Sequence, residues 1–414
     1  MEKLLILGCS LGTEKALEYA ESLGVYTIIT DYNPPEASPL KYRADEYWMI
    51  DVFDQDALEE RCRQEKITAV FAATSEFCLD QAKELCRRLE LPFYASDEGW
   101  ACARNKAKFK RHCMDCGISV PRSYDVTSDS KAAGTAAVKY PVIVKPADSC
   151  AQQGLSVCRD EEELEAGVKK ALSFSETDHV LVEDYIEGNE LAIEYCFING
   201  KAVPIEICEM VYIPVNGKNN FVFALINGPR QKEYLKKISS KIEGLFDSMD
   251  CHEGIAFVQA IRREETFYFL ELGYRIPASG NWGMTYKLSG IHPVEFVLDH
   301  ALNRSHGTYL GLNPDDKVAG SYMIWARPGK IKRIQGEAEV RAIEGAEIVL
   351  QRFREGDCVP ENSSMNQMAY NIALTGNDLH DLEEKVRRIN HLLHVCDEED
   401  KDMLFYLTDY ELLK

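Results

Sequence analysis

The sequence predicts an α/β fold of more than one domain, and three observations predict it. Short apolar runs alternate with helical stretches through the first 100 residues, as strands of a parallel sheet covered by helices do. A later stretch, V-Q-A-I-R-R-E-E-T-F-Y-F-L-E-L-G-Y-R from Val258 to Arg275, is legible as an antiparallel hairpin. At 414 residues the chain is long enough for two or three domains with their own cores.

Leu4 to Leu7 is the first strand, followed by the turn Gly8-Cys-Ser-Leu-Gly12 and a helix to Leu23. Val25 to Thr30 is the next strand, ending in Asp31, and Ala69 to Ala72 is another, ending in Thr74-Ser75-Glu76. Ligands of such a sheet bind at the carboxyl ends of its strands. Gly8 and Gly12 with Asp31 have the outline of a dinucleotide fingerprint, but G-x-x-x-G lacks the middle glycine that lets a backbone approach a pyrophosphate. They read as a relic rather than a working NAD site. An NAD-dependent oxidoreductase built on them would leave residues 100 to 275 unexplained.

From Trp100 a basic helix, A-R-N-K-A-K-F-K-R-H, runs to Cys116-Gly117. Tyr140-Pro-Val-Ile-Val-Lys145-Pro is a buried strand with a lysine at its end, which either snorkels to water or meets a ligand. The segment from Ala147 to Gly154 is small and polar, able to offer backbone N–H groups and hydroxyls to phosphate oxygens. The strand His179-Val-Leu-Val-Glu183 leads through Asp-Tyr-Ile-Glu-Gly188-Asn-Glu190 into another, Leu191 to Phe197. Glu183 closes an apolar strand and Glu190 opens one, whereas Glu187 reads as a solvated loop charge. In the hairpin the charged connection Arg262 to Glu265 faces water, and folding about Arg263 to Thr266 brings Gln259 and Glu271 together. Two oxygen donors of this kind suit Mg²⁺, with nucleotide phosphates completing its shell. Arg275 follows four residues later. Val318 to Ala326, Gly329 to Ile334 and Ala346 to Gln351 read as strands and Leu379 to Leu393 as an amphipathic helix, with no catalytic motif visible among them.

A formal net charge of −21 disfavours nucleic acid as a partner, because phosphate backbones need a basic face. No apolar run reaches bilayer length, and M-E-K-L-L-I-L-G enters a strand instead of a signal peptide, so no membrane partner and a cytoplasmic location are expected. Fourteen cysteines scattered without an export signal read as reduced thiols. Cys113-Met-Asp-Cys116, preceded by His112, is a single C-x-x-C with no second pair, a poor zinc site and more in keeping with packing.

Taken in order, these pieces resemble the ATP-grasp superfamily over nearly the whole chain, in particular carboxylate–amine ligases near the carbamoyl-phosphate synthetase, biotin carboxylase and L-amino-acid ligase branches. The resemblance implies a Rossmann-like pre-ATP-grasp domain at 1–100 and a two-lobed ATP-grasp domain at 101–308, with a mobile lid at about 118–187. A C-terminal mixed β/α module at 309–414 would complete the chain. It implies that Lys106 and Lys145 neutralise the phosphates of ATP, beneath a loop of Ser149, Gln152, Gln153 and Gly154. Glu183, Tyr185 and Ile186 correspond to the adenine hinge, Glu190 to the ribose carboxylate, Gln259 and Glu271 to the ligands of Mg²⁺ or Mn²⁺. Arg275 corresponds to the residue that steadies an acyl phosphate, so Arg275 and Lys145 are the implied catalytic pair. The acceptor pocket of the family lies between the N-terminal domain and the segment after Arg275, where Ser75, Glu76 and Trp282 are candidates. The same three residues also read as a helix-capping polar pair and a packed aromatic. His292, before Pro293, reads as capping or packing at a helix start.

Two departures stand out. The usual E-x-N-x-R reads Glu271-Leu-Gly273-Tyr-Arg275, so an expected asparagine ligand is a glycine, and Cys150 and Ala151 stand where the phosphate loop often has Gly and Ser. The activity implied is ATP- and metal-dependent activation of a small carboxylate as an acyl phosphate and its joining to an amine, such as an amino acid. Bicarbonate activation of the carbamoyl-phosphate-synthetase or carboxylase kind is the alternative, and an ATP-binding protein with weakened catalysis is the rival from another class. A homodimer is left open.

Overall fold

The structure is a computed structural model that describes residues 1–124, 138–146, 154–175, 179–215, 218–305, 308–312, 318–361 and 365–413. The N-terminal part is a parallel sheet of β1 (Lys3–Leu7), β2 (Tyr26–Thr30), β3 (Glu46–Trp48) and β4 (Ala69–Phe71) in the order β3-β2-β1-β4. Helices α1 (Thr13–Ser22) and α2 (Gln55–Glu65) connect β1 to β2 and β3 to β4, and α3 (Glu76–Leu89) follows β4. Leu4 and Ile6 face one core while Leu5 and Leu7 face another, which is why β1 reads as a continuous apolar run rather than an alternating one.

Two helices, α4 (Asp97–Arg104) and α5 (Lys106–Asp115), lead into a four-stranded antiparallel sheet. Its strands are β5 (Ser123–Tyr124), β6 (Val142–Pro146), β7 (Ser156–Cys158) and, after α6 (Glu161–Leu172), β8 (Val180–Asp184), in the order β5-β8-β6-β7. Val142, Val144 and Val182 pack beneath α6 with Leu164 and Val168. Side chains alternate across a strand, so Ile143, Lys145, Leu181 and Glu183 share the opposite face.

The central sheet holds β9 (Asn189–Ile198), β10 (Lys201–Val215), β11 (Lys218–Ile226) and, after α7 (Pro229–Ser248), β12 (Ile255–Arg263) and β13 (Thr266–Gly273). Leu191, Ile193, Val258 and Ala260 are sealed in a core with Phe109 of α5 and Tyr234, Ile238 and Ile242 of α7. The other face of β9, β12 and β13 therefore carries Glu190, Ala192, Glu194, Gln259 and Glu271. Helices α8 (Trp282–Ser289) and α9 (Pro293–Ala301) follow.

The last hundred residues form β14 (Val318–Ala326), β15 (Gly329–Gln335), α10 (Glu337–Arg341), β16 (Ala346–Gln351), β17 (Cys358–Val359), β18 (Met368–Gly376), α11 (Leu379–Leu392), β19 (His394–Asp397) and β20 (Leu404–Phe405). Strand β14 pairs antiparallel with β11, so one nine-stranded sheet, β13-β12-β9-β10-β11-β14-β18-β16 with β20 on β14, runs across the 308/309 boundary drawn from sequence. Among the described residues no helix is long and apolar enough to cross a membrane.

Candidate nucleotide and ligation site

The hairpin β12–β13 sets Gln259 directly opposite Glu271, with the turn at Glu264 and Glu265, as the residue pattern predicts. Cross-strand partners point to one face, so the amide and the carboxylate converge. Lys106 Nζ lies 3.1 Å from Glu271 Oε2. The single basic helix read from the sequence is in fact two, and the break is what aims Lys106. Asn105 is extended (φ −136°, ψ 99°) and its side chain accepts the Lys108 N–H at 3.0 Å, capping α5 so that Lys106 is its first residue. Asparagine is among the best N-caps, and here that local preference outweighs the helical run around it.

On the opposing sheet Lys145 Nζ lies 3.0 Å from Glu183 Oε2. Lys110, one helical turn after Lys106, donates to the other oxygen of Glu183, and both partners are buried. Burial works to raise the Glu183 carboxyl, but the Lys145 and Lys110 charges overcome it and hold its pKa below the ordinary value. Burial pushes the Lys110 ammonium down to about 8 against the pull of Glu183. A cavity of ≈ 660 Å³ opens beside this cluster, lined among others by Ala107, Lys110, Leu181, Glu183 and Tyr268. It shares Lys110 and Glu183 with the lysine cluster, but Lys145, Gln259, Glu271 and Arg275 do not line it. Lys110 was not singled out in the sequence; its i,i+4 spacing from Lys106 was the available signal.

After Glu183, Tyr185 N–H donates to Pro141 O at 3.1 Å and Ile186 is buried. Glu190 opens β9 and accepts the Tyr212 hydroxyl at 2.8 Å. Gly154 packs on Pro146, the last residue of β6. Ser149, Gln152 and Gln153 lie outside the described residues.

Arg275 leaves β13 with its guanidinium 5.1 Å from the centre of the Phe257 ring, Nε 3.2 Å from Glu76 Oε1, and one terminal nitrogen donating to Ile276 O at 3.0 Å. Arg104 holds the other oxygen of Glu76. The departure at Gly273 has its physical cause here. A Cβ at this position would lie 2.2 Å from the Phe257 ring, so Phe257 occupies the space that an asparagine side chain needs. Ser75 caps α3, accepting the Cys78 N–H at 3.4 Å. Trp282 is buried, donates Nε1–H to Pro277 O at 3.0 Å, and fills the space above Gly12, where a Cβ would meet its ring at 3.0 Å. The glycine turn of the first strand thus receives an indole. His292 occupies the N-cap position of α9 without a side-chain cap bond, and its ring lies 6.4 Å from that of Trp282.

One further cluster on this face escaped the sequence. Glu194 of β9 and Glu206 of β10 are cross-strand partners, both buried, and Thr285 of α8 donates to Glu206 Oε2 at 2.7 Å. Burial drives both carboxyls upward; Glu194 rises well above the usual range, with the Glu206 charge adding to the effect, and Glu206 is pushed up to about 7. Two carboxylates this close inside the protein cannot both be charged cheaply, so the pair retains a proton at neutral pH.

Residues 103–279 match the family described as the ATP-grasp domain. That segment, under half of the chain, contains every residue from Lys106 to Arg275 described above, and over it the chain is similar to ATP-grasp domains, in keeping with the resemblance drawn from the sequence. Over 181 residues it is 30% identical to a D-alanine–D-alanine ligase of Fusobacterium nucleatum, covering 42% of this chain and 56% of that protein. Over 279 residues it is 24% identical to a formate-dependent phosphoribosylglycinamide formyltransferase of Wolinella succinogenes, 66% of this chain and 70% of that one. The chain spans about half or less of the first curated relatives it matches, 56%, 41% and 32% of their lengths. In fold it is similar to an L-amino acid ligase from Bacillus licheniformis, with a TM-score of 0.76 at 20% identity over 96% of this chain and 99% of that one. It is also similar to the biotin carboxylase domain of a 2-oxoglutarate carboxylase from Hydrogenobacter thermophilus, with a TM-score of 0.73 at 16% identity over 95% and 90%.

Proposed function

We propose that the protein is an ATP-dependent ligase that activates a small carboxylate as an acyl phosphate and joins it to an amine. The observation that carries this reading is a pair of lysine–carboxylate contacts in one domain, Lys106 on Glu271 and Lys145 on Glu183. Each lysine has a carboxylate to leave for a phosphate, and each carboxylate gains a ligand when it does. The facing amide and carboxylate of Gln259 and Glu271 fit a hard divalent cation, so they would hold Mg²⁺ or Mn²⁺. When bound, the cation would offset negative charge on the phosphates.

Glu183, Tyr185 and Ile186 would receive adenine at the hinge, and Glu190, fixed by Tyr212, the ribose. Lys106 and Lys145 would hold the phosphates while a carboxylate oxygen attacks the γ-phosphorus and ADP departs. Arg275 would bind the anionic acyl phosphate, which the amine then attacks at its carbonyl carbon, expelling phosphate. Ser149, Gln152, Gln153 and Gly154 would cover the phosphates and exclude water from this intermediate. Glu76 is held by Arg104 and Arg275, which favours a role in placing Arg275 over one in gripping the amine. Relatives named as D-alanine–D-alanine ligase and L-amino acid ligase support an amino acid as a substrate.

Phosphate release measured over paired carboxylates and amines tests the proposal. Turnover requiring both partners is expected. Turnover on bicarbonate without an amine would establish the carboxylase-like alternative. Tight ATP binding that no pair of substrates converts to turnover would leave a binding protein.

A further inference from the structure

Away from the cleft, three side chains of different chemistry meet between α4 and α5. Glu98 and Cys102 are one turn apart on α4, His112 lies in the last turn of α5, and one ligand-type atom from each lies within 4.8 Å of the other two. Cys102 is buried, while Glu98 and His112 reach the surface. The Ser248 hydroxyl lies 2.8 Å from Leu245 O, to which it can donate, and 2.9 Å from His112 Nδ1, from which it can accept. With Nδ1 donating to Ser248 in this way, Nε2 of the neutral ring is left with its lone pair for a metal.

That lone pair faces Glu98 Oε1 at 3.3 Å. A contact of this length needs a positive charge between the two atoms, which either a proton on Nε2 or a bound cation supplies. The separation is the one expected of two ligands on a tetrahedral ion with bonds of about 2.05 Å, namely about 3.3 Å. Glu98 Oε2 is turned the other way, onto Lys108 Nζ at 2.7 Å, so Oε1 is the oxygen left for a metal.

We propose that Glu98, Cys102 and His112 form a zinc site, with water as the fourth ligand. A thiolate, an imidazole and a carboxylate together suit Zn²⁺, whereas Mg²⁺ takes oxygen alone. Ser248 fixes the tautomer of His112 as outer-sphere partners of metal-bound histidines do. The ion clamps α4 to α5, the helix whose first residue is Lys106, about 9 Å along the axis from His112. The site is separate from Gln259 and Glu271 and does not depend on the ligase reading. It also differs from the C-x-x-C visible in the sequence, since the cluster takes Cys102 and neither Cys113 nor Cys116.

Cobalt titration of the full chain, stripped with a chelator and free of nucleotide and Mg²⁺, tests the site. One equivalent of Co²⁺ is expected to give a near-ultraviolet thiolate-to-cobalt band that Zn²⁺ bleaches, and Zn²⁺ should raise the Tm. Cys102→Ser and His112→Gln should abolish the band, and Cys116→Ser should keep it. Ser248→Ala leaves all three ligands in place and should weaken binding about tenfold or more, which covers the case in which Cys102→Ser fails to fold. No band in the wild-type protein would mean that Glu98 and His112 form a plain ion pair. A band that survives Cys102→Ser would equally overturn the assignment.

Discussion

Lys145 and Arg275 bear the same charge in one site, yet their surroundings assign them different work. Among the described residues Lys145 is held by an ion pair to Glu183, a contact its ammonium can exchange for another anion. Arg275 is fixed three ways, by Glu76, by Ile276 O and by the Phe257 ring, which suits a group that waits for a later intermediate. Lys145→Ala should weaken ATP binding by roughly 10- to 100-fold, the worth of a charged hydrogen bond of about 1.5–3 kcal/mol. Arg275→Ala should leave ATP affinity nearly unchanged and abolish product formation. Calorimetric ATP titration beside phosphate release separates the two, and equal loss of affinity would remove Arg275 from its place. The Glu194–Glu206 pair predicts a pH effect. Glu206 has a pKa near 7 in the folded protein against an ordinary value of 4.5, so the folded form keeps a proton that the unfolded chain has released. Its contribution to stability is full below about pH 4.5 and is lost as pH rises through about 7. Glu206→Gln can still accept from Thr285 and carries no charge, so its Tm should fall less than that of wild type between about pH 5 and pH 8. Parallel Tm profiles for the two proteins would dismiss the shared proton.

At the scale of the element, the hairpin shows what a local pattern can and cannot say. Strand-forming residues around a charged turn were enough to place Gln259 opposite Glu271, because a hairpin pairs near neighbours in sequence. The same pattern was silent on Phe257, whose ring over Gly273 depends on a rotamer and not on a period. The helix break at Asn105 was legible in principle from the N-cap preference but was hidden by good helix formers on both sides. Lys110 was missed for another reason: its spacing from Lys106 marks a shared helix face, but its partner Glu183 is 73 residues away. The glycine in E-x-G-x-R is therefore half of a matched pair with Phe257. Gly273→Asn should destabilise the protein by about 1–3 kcal/mol through overpacking and should not raise turnover. Gly273→Asn combined with Phe257→Ala should recover stability relative to the sum of the single changes. Denaturant unfolding of the four proteins supplies the cycle, and simple additivity would show that Phe257 does not exclude the asparagine.

For the molecule as a whole, strand existence was readable in the C-terminal hundred residues, but their attachment was not. Val318 to Ala326 is recognisable as a strand from composition, whereas its pairing with β11 joins segments separated by a helix, a hairpin and two further helices. The pairing matters because the two parts share a core. Val211, Val222, Phe223 and Leu225 of β10 and β11 pack with Tyr322, Ile324, Ile372 and Leu374 from the C-terminal part. A chain ending at residue 308 would leave that face bare and β11 as an unpaired edge, two features that drive aggregation. Strand β10 also carries Tyr212, which holds Glu190, and Glu206, so disorder there reaches the residues proposed to hold the nucleotide. The fragment 1–308 should therefore be recovered mainly as insoluble protein, and any soluble fraction should bind ATP more weakly than the full chain. Expression of both lengths side by side, with circular dichroism and ATP titration of the soluble material, decides it. A soluble fragment that unfolds cooperatively and binds ATP as the full chain does would mean that the sheet divides into independent domains at the boundary its pairing crosses.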